Sequence, residues 1–257
     1  MLDSGSNSEV DMEKTIGELV AEKPGRSRVF EQYRIDYCCG GHLTIDQACA
    51  KKKVDPAEIK ERLTDYDKQR DTQEKDWSRE TELSPVIDHI LKVYHEPMAA
   101  DFERLSFLSQ KVARVHGDAH PELLEVESVW NQLRAELEPN LMKEERVLFP
   151  MMRELVASAR DQGNLPAFHC GTVQNPMRQM EHEHEEAGAM LARLRELTGG
   201  YVPPLSACNS YRALFEGLQN FESELHKHIH LENYVLHPLA RKIEASLSAS
   251  TASAPVG

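Results

Sequence analysis

The stretch that decides the fold is LHKHIHLENYVLHP, residues 225–238, and it has a counterpart in NLMKEERVLFP, residues 140–150. The two segments share the pattern Glu-x-x-Val-Leu-x-Pro, which aligns Glu144 with Glu232. A charged residue repeated in the same apolar context on two segments indicates a shared role inside the protein rather than two unrelated surface charges.

The residue four positions before each glutamate is His228 in one copy and Asn140 in the other. Residues four apart lie on one face of an α-helix, about one turn from each other. His228 and Glu232 can therefore bind the same metal ion. Two such helices that face each other across a bundle would form a site for two metal ions.

The composition excludes several classes of protein. The 257 residues carry a net charge of −13, which disfavours binding to nucleic acid or to an anionic membrane surface. The sequence contains no apolar run long enough to span a membrane, and residues 1–13 do not resemble a signal peptide. Five cysteines, an odd number, do not form a disulfide framework. We therefore expect a cytoplasmic protein in a reducing compartment.

Helical periodicity predicts an all-α protein, an antiparallel four-helix bundle with a small helical N-terminal domain. Ser84-Pro85 is a strong helix start, and Pro97 and Pro139 are expected to kink the first and second bundle helices. The predicted bundle helices cover about residues 84–115, 121–155, 174–197 and 205–247. The predicted organisation is a small helical domain that contains the turn DYCCGG (11–70), a charged linker with Trp77 as an anchor (71–82), the bundle (83–247) and a disordered tail (248–257).

Each bundle helix offers a candidate metal ligand at a compatible height along the bundle axis. These candidates are His95, Glu144, His184, His228 and Glu232. Histidine with carboxylate suits iron, manganese or zinc, and two bridging glutamates favour a pair of ions over a single structural zinc. Iron fits best because mixed ligands support both of its common oxidation states. For other histidines taken singly, a solvated surface position is the better interpretation; these are His182, His226, His230 and His237.

With these residues in view, the chain resembles the iron–sulfur cluster repair di-iron proteins, the Repair of Iron Centres family, over most of residues 11–240. The matching motifs are Val29-Phe30 and Tyr33, Ile35-Asp36-Tyr37-Cys38-Cys39-Gly40-Gly41, Tyr94-His95, Val115-His116-Gly117-Asp118, Met142-Lys143-Glu144-Glu145, Leu148-Phe149-Pro150, Glu183-His184-Glu185-Glu186-Ala187-Gly188 and His228-x-x-x-Glu232. The resemblance implies a hemerythrin-like bundle with two non-haem iron ions, and a role in restoring clusters damaged by nitric oxide or peroxide.

One position departs from that family pattern. Asn140 stands where the family and the internal repeat both have histidine. An amide oxygen is a neutral, weak donor, so we expect one iron to be held normally and the other weakly. Water, or Glu136 one turn earlier, are the alternatives for the vacated position.

The adjacent Cys38 and Cys39 form a disulfide only through a strained ring, so a structural bridge is not expected. Next to Gly40-Gly41 they are predicted to be exposed and to take part in iron transfer or thiol exchange. The alternative is a packing turn in which one cysteine is simply buried.

The resemblance favours a stress-response repair protein that donates iron, closer to an iron donor than to a conventional enzyme. Its partners would be damaged iron–sulfur proteins or the cluster-assembly machinery. The sequence leaves both a monomer and a homodimer possible. The alternatives are an O₂- or nitric-oxide-binding sensor or store, a nitric-oxide-consuming reductase or oxidase with an external electron donor, and a metal-free scaffold. A simple gas carrier has no reason to keep the cysteine turn.

Overall fold

The computed structural model describes residues 10–11, 13–69, 75–161 and 164–252. These residues are helical, and their one β-type contact is an isolated antiparallel bridge between Thr15 and Thr44. The predicted all-α class is confirmed. The chain divides into two compact units, one formed by residues 1–80 with 230–235 and the other by residues 81–229 with 236–257.

The N-terminal unit is built from short helices whose ends are set by local sequence signals. Thr15 and Thr44 each form a capping box at a helix start, with Glu18 and Gln47 as the return partners. Asp55 accepts a hydrogen bond from the Ala57 backbone ahead of the last helix. The helices are α1 (Ile16–Glu22), α2 (Ser27–Gln32), α3 (Ile45–Lys52) and α4 (Pro56–Gln69), with 3₁₀ turns at Pro24–Arg26 and Trp77–Arg79.

A buried ion pair joins the 3₁₀ turn after α1 to α4. Arg26 is 3% exposed, and its Nη2 lies 2.7 Å from Oδ2 of Asp67, while its Nη1 donates to the Leu19 carbonyl at 3.0 Å. Trp77, from the predicted linker, is buried in the same unit as expected of an anchor.

Four long helical rods form the bundle, and short connections make consecutive rods antiparallel. The third rod is one uninterrupted α-helix, and the other three are each divided by a five-residue π-helical turn. The rods are α5–α6 (Leu83–Ile90 and Glu96–His116), α7–α8 (Glu122–Lys143 and Phe149–Arg160), α9 (Gln174–Leu197) and α10–α11 (Asn209–Leu231 and His237–Ala252). The four-helix bundle is confirmed.

The three π-turns share one sequence feature. They span Leu91–His95, Glu144–Leu148 and Glu232–Leu236, and a proline follows the end of each by two residues. Proline has no N–H to donate within the helix, so the regular ladder is interrupted at the same point in each rod. In the first two turns, the residue after the turn donates to the carbonyl five residues earlier. The candidate ligands Glu144 and Glu232 each begin a π-turn, and His95 ends one.

The bundle core is apolar and aromatic away from these turns. Trp130 packs against Phe102 and Phe221, with ring centroids 6.3 and 5.0 Å apart, and its indole N–H donates to Ser106 Oγ at 3.0 Å. A buried indole with its donor satisfied fixes the packing of three rods at this level.

One expectation about the rods is corrected. The second rod is α-helical through Pro139, and its π-turn comes later, at Glu144–Leu148, just before Pro150. The fourth rod continues to Ala252 rather than ending at 247, and Ser248 Oγ donates to the Glu244 carbonyl within it. Residues 253–257 lie outside the described part, as do residues 1–9. Among the described helices, none combines the length and the apolar character that crossing a membrane requires.

Candidate metal centre

Four candidate ligands meet inside the protein. His95, Glu144, His228 and Glu232 each offer a nitrogen or oxygen atom, and these atoms lie within 4.8 Å of one another. Their residues are 5%, 0%, 1% and 0% exposed. Two histidines and two carboxylates that converge out of contact with solvent could hold an ion of iron, manganese or zinc.

The spacing inside this group fits a bound transition-metal ion. His95 Nε2 lies 3.2 Å from His228 Nε2 and 3.2 Å from Glu144 Oε2, and His228 Nε2 lies 4.0 Å from the same oxygen. Ligand atoms at about 2.1 Å from one ion lie roughly 3.0–4.2 Å from each other. Neither carboxylate oxygen of Glu144 has a hydrogen-bond partner among the described residues, although both are buried. A metal ion would compensate this buried carboxylate, so the residues fit the ion.

The orientation of His95 is fixed by a carboxylate outside the group. Its Nδ1 lies 2.9 Å from Glu145 Oε1. A carboxylate accepts here, so Nδ1 carries the hydrogen and Nε2 keeps its lone pair toward the centre. Metal-binding histidines are commonly held in this way. Glu145 was not among the predicted site residues, and its position directly after Glu144 was the available signal.

His184 approaches Glu144 from the other side. It is 2% exposed, and its Nε2 lies 3.8 Å from Glu144 Oε1, whereas His95 and His228 lie near Oε2. The two oxygens of one carboxylate thus face different histidines. A glutamate placed in this way could offer one oxygen to a metal ion near His95 and the other to a metal ion near His184.

Asn140, on α7 one turn before Glu144, is held by a carboxylate of α9. It is 2% exposed, and its Nδ2 donates to Glu183 Oε2 at 2.8 Å and contacts Met180 Sδ at 3.1 Å. Burial acts to raise the pKa of Glu183, but hydrogen bonds from Lys143, Asn140 and Gln179 bring that pKa below its ordinary value. The carboxylate is therefore charged and holds the amide.

The alternative ligand Glu136 does not enter the site. Its side chain is exposed and accepts from Gln132 Nε2 at 3.3 Å, one turn earlier on the outer face of α7. Of the residues predicted to bind a second ion, the structure brings together His184 and Glu144, without an imidazole from α7.

Aromatic rings cover the first position. Tyr94 stacks on His228 with centroids 5.5 Å apart and planes 18° apart, and Phe149 lies 5.7 Å from the ring of His95. Burial raises the pKa of Tyr94, which keeps its phenol protonated. These rings shield the imidazoles from water on the side away from the ligand atoms.

Two histidines that were expected at the surface are buried. His230 is 5% and His237 is 0% exposed, whereas the His182 side chain is 63% exposed as predicted. Burial lowers the pKa of His230 to about 4, with a hydrogen bond to the Gly17 carbonyl acting in the opposite direction. His237 Nδ1 lies 3.2 Å from Glu181 Oε1. The single-residue argument failed because the burial of each histidine comes from residues far away in the sequence. His230 contacts the Gly17 carbonyl and the Tyr37 ring, and His237 contacts Glu181.

The cysteine turn is organised by the preceding aspartate. Asp36 Oδ1 accepts from the backbone N–H groups of Cys38 and Cys39 at 3.0 and 2.9 Å, and from the Cys38 thiol at 3.2 Å. The sulfur atoms lie 3.8 Å apart, and the three side chains offer ligand atoms within 4.8 Å of one another. Sequence reasoning did not single out Asp36, although an aspartate two residues before a turn is a common backbone acceptor.

The two thiols differ in environment. Cys39 is half-buried, but Cys38 is 2% exposed, which corrects the expectation that both are exposed. The hydrogen bond to Cys39, burial and the charge of Asp36 raise the pKa of the Cys38 thiol well above its ordinary value. Cys39 is therefore the more accessible of the two thiols.

Comparisons with known proteins match both parts of the chain. The family ScdA_N, described as a Domain of Unknown function (DUF542), matches residues 12–67, and the Hemerythrin HHE cation binding domain matches residues 86–240. The bundle therefore belongs to a cation-binding class.

Relatives match over nearly the whole chain. A Haemophilus influenzae protein named "Probable iron-sulfur cluster repair protein" is 35% identical over 88% of this chain and 96% of its own length. The "Iron-sulfur cluster repair protein YtfE" of Musicola paradisiaca is 34% identical over 91% and 98%, and that of Escherichia coli is 34% identical over 89% and 96%. The chain belongs to the family of iron–sulfur cluster repair proteins, which join an ScdA-type N-terminal domain to a hemerythrin HHE domain.

Proposed function

We propose that this protein binds iron in its bundle and helps to repair iron–sulfur clusters damaged by nitric oxide or oxidative stress, by donating iron. The observation that carries the proposal is the fully buried group of two histidines and two glutamates in a hemerythrin-type bundle. Its relatives are named iron–sulfur cluster repair proteins, which supports a role for the bound iron in cluster repair.

In this proposal His95, His228, Glu144 and Glu232 hold one iron ion, and His184 with Glu144 holds a second. The second ion has fewer strong protein ligands, since Asn140 offers only a neutral amide oxygen where the other copy of the repeat has the imidazole of His228. We expect two ions of unequal affinity. Iron so bound supplies an exchangeable ion with two accessible oxidation states, and the weaker ion is the one available to a client.

Cys38 and Cys39 are proposed to take part in the transfer. Thiolates are strong ligands for iron, and a binding thiol releases its proton. Cys39, half-buried, makes the first contact, and Cys38 binds as the incoming ion displaces its thiol proton to the Asp36 carboxylate. Thiol exchange with a partner protein is the alternative use of the same pair.

The partners are proposed to be damaged iron–sulfur proteins or the machinery that assembles clusters. A gas sensor or a nitric-oxide reductase on the same bundle would need the metal ligands but not the cysteine turn. The turn therefore discriminates between the two classes of function.

The first test is the iron content and optical spectrum of the purified protein, with about two iron ions per chain expected after reconstitution. The second is reactivation of a nitric-oxide-damaged iron–sulfur enzyme by the iron-loaded protein. Replacement of both Cys38 and Cys39 by Ala should leave the iron content unchanged and abolish reactivation. Undiminished reactivation by the double variant would refute the role of the cysteines, and a wild-type chain that takes up no iron would refute the proposed function.

A further inference from the structure

The segment 230–235, which carries Glu232, packs closely within the N-terminal unit. His230 Nε2 lies 2.8 Å from the Gly17 carbonyl, and the imidazole is 5% exposed. A carbonyl only accepts, so Nε2 carries the hydrogen and donates it to α1. His230 also stacks on Tyr234, with centroids 5.1 Å apart and planes 19° apart. The two rings form one surface that rests on the N-terminal helix.

Glycines make this contact possible. A Cβ atom on Gly17 would lie 2.2 Å from Tyr234 Cε1, and one on Gly41 would lie 2.8 Å from the same ring and 2.2 Å from the Tyr37 carbonyl oxygen. The two glycines are themselves joined by a hydrogen bond of 2.8 Å from Gly17 N–H to the Gly41 carbonyl. Glycine inside a helix is unfavourable compared with alanine, so the presence of Gly17 in α1 is explained by this close approach.

The opposite face of the same segment carries the ligand. His230 and Tyr234 are four residues apart and share one helical face, while Glu232 lies between them and is rotated by about 200° from His230. The N-terminal unit therefore contacts one side of the segment, and the carboxylate extends from the other side toward its three co-ligands. The segment overlaps the π-turn Glu232–Leu236, where the regular α-helical hydrogen bonds are interrupted. The backbone at Glu232 therefore receives less support from within its own helix.

A further contact links this surface to the cysteine turn. The Tyr37 ring lies 5.7 Å from the ring of His230, and Tyr37 directly precedes Cys38. Tyr37 is 1% exposed, so the turn cannot shift without displacing a ring that packs on the segment.

We propose that Gly17, Gly41, His230 and Tyr234 are positioning residues that hold Glu232 in place, so that iron retention in the bundle depends on the conformation of the N-terminal unit. A change at the cysteine turn, such as occupation of its thiols, would be felt by Glu232 through Tyr37 and His230. The inference rests on the proposed function in that Glu232 is a ligand. It adds a route by which engagement of the cysteines loosens the iron.

The test uses the full chain loaded with iron and measures the rate at which a chelator removes the iron. Gly17→Ala introduces a methyl group into the Tyr234 ring, and we expect iron loss at least 10-fold faster, with a shifted near-ultraviolet band of the bound iron. Combining it with Tyr234→Ala removes the clash, and the double variant should lose iron no faster than Tyr234→Ala alone. The matched control is Gly217→Ala, whose Cβ meets Leu105 Cδ2 at 2.6 Å inside the bundle. It should lower the urea midpoint without changing the band.

A second pair of variants covers the case in which Gly17→Ala fails to fold. His230→Gln keeps a donor for the Gly17 carbonyl and should retain iron nearly as the wild type does, whereas His230→Leu should lose it faster. Iron loss at the wild-type rate in both Gly17→Ala and His230→Leu would overturn the inference. So would equally fast loss in Gly217→Ala with the same band shift. Failure of the wild-type chain to bind iron would instead refute the proposed function on which the inference rests.

Discussion

Replacing Asn140 by histidine should convert the weaker metal position into a complete one. The wild-type amide donates to Glu183 Oε2 at 2.8 Å. An imidazole at this position can make the same bond through Nδ1–H, as His95 does with Glu145 at 2.9 Å, and its Nε2 then takes the ligand role that His228 has in the second copy of the repeat. The change therefore adds a ligand without removing the carboxylate that orients it.

Asn140→His should change both the affinity for the second ion and the folding stability of the protein. Loss of a hydrogen-bond partner to a metal ligand alone weakens metal binding by about 10- to 100-fold, so gain of a ligand should tighten the second ion by at least that range, or about 1.4–2.8 kcal/mol. The larger ring must fit beside Met180 in a site that is 2% exposed, and overpacking costs about 1–3 kcal/mol of folding stability. Metal affinity should rise while the metal-free variant becomes less stable.

The assay is competition with a graded series of chelators, read as iron per chain. The wild type should lose one ion well before the other, and Asn140→His should bring the two losses together. Asn140→Ala, which removes the amide and adds no ligand, should retain the tighter ion with unchanged affinity. Two ions held equally well by the wild type, with no change in Asn140→His, would refute the reasoning.

Three further changes have defined outcomes. Glu144→Gln should reduce iron to less than one ion per chain and leave the urea midpoint of the metal-free protein undiminished, since the buried carboxylate accepts no hydrogen bond; full iron content would contradict this. A hydrogen bond from His237 lowers the pKa of Glu181 to about 2, so its stabilising effect is complete above pH 4.5 and is lost as the pH falls toward 2. The difference in urea midpoint between wild type and Glu181→Gln should narrow over that interval. A constant difference would show that ionised Glu181 does not stabilise the fold. Glu244→Ala removes a 3%-exposed carboxylate that accepts from the Val173 N–H at 2.9 Å at the start of α9, and urea unfolding should show a loss of about 3 kcal/mol; a loss under 1 kcal/mol would contradict it.

Much of the bundle could be predicted because its signals are local. Periodic apolar residues, Ser84-Pro85 and the repeated glutamate fix the rods and the face on which Glu144 and Glu232 lie. The capping threonines mark the short N-terminal helices equally well. These features depend on neighbours within one or two turns, which the sequence displays directly.

The π-turns could not be predicted in the same way. A proline inside a helix predicts a kink, but it does not predict that π-turns precede Pro97 and Pro150 while Pro139 lies within an α-helical stretch. A proline lacks a backbone N–H, and the helix around it can either stay α-helical or widen into a π-turn. Which of the two occurs depends on the residues packed around the helix, and these come from distant parts of the sequence. The burial of His237 was missed for the same reason.

The orientation of the amide at Asn140 was equally beyond the sequence. Its partner Glu183 is 43 residues away and is selected by the packing of α7 on α9. The identity of the residue predicted a weak ligand. The hydrogen bond from its amide nitrogen to Glu183 is visible only in the structure.

The π-turns also separate the folding of the bundle from the placement of its candidate ligands. Each accommodates one residue more than a regular helix over the same rise, so a single deletion within residues 144–148 or 232–236 would let the rod revert to an unbroken α-helix. The flanking parts of the rod would keep their relative rotation, because the π-turn takes up the extra residue within about one turn. Core residues on both sides of the deletion would still face inward, and only residues inside the turn would change position. A deletion here should therefore affect metal binding more than folding.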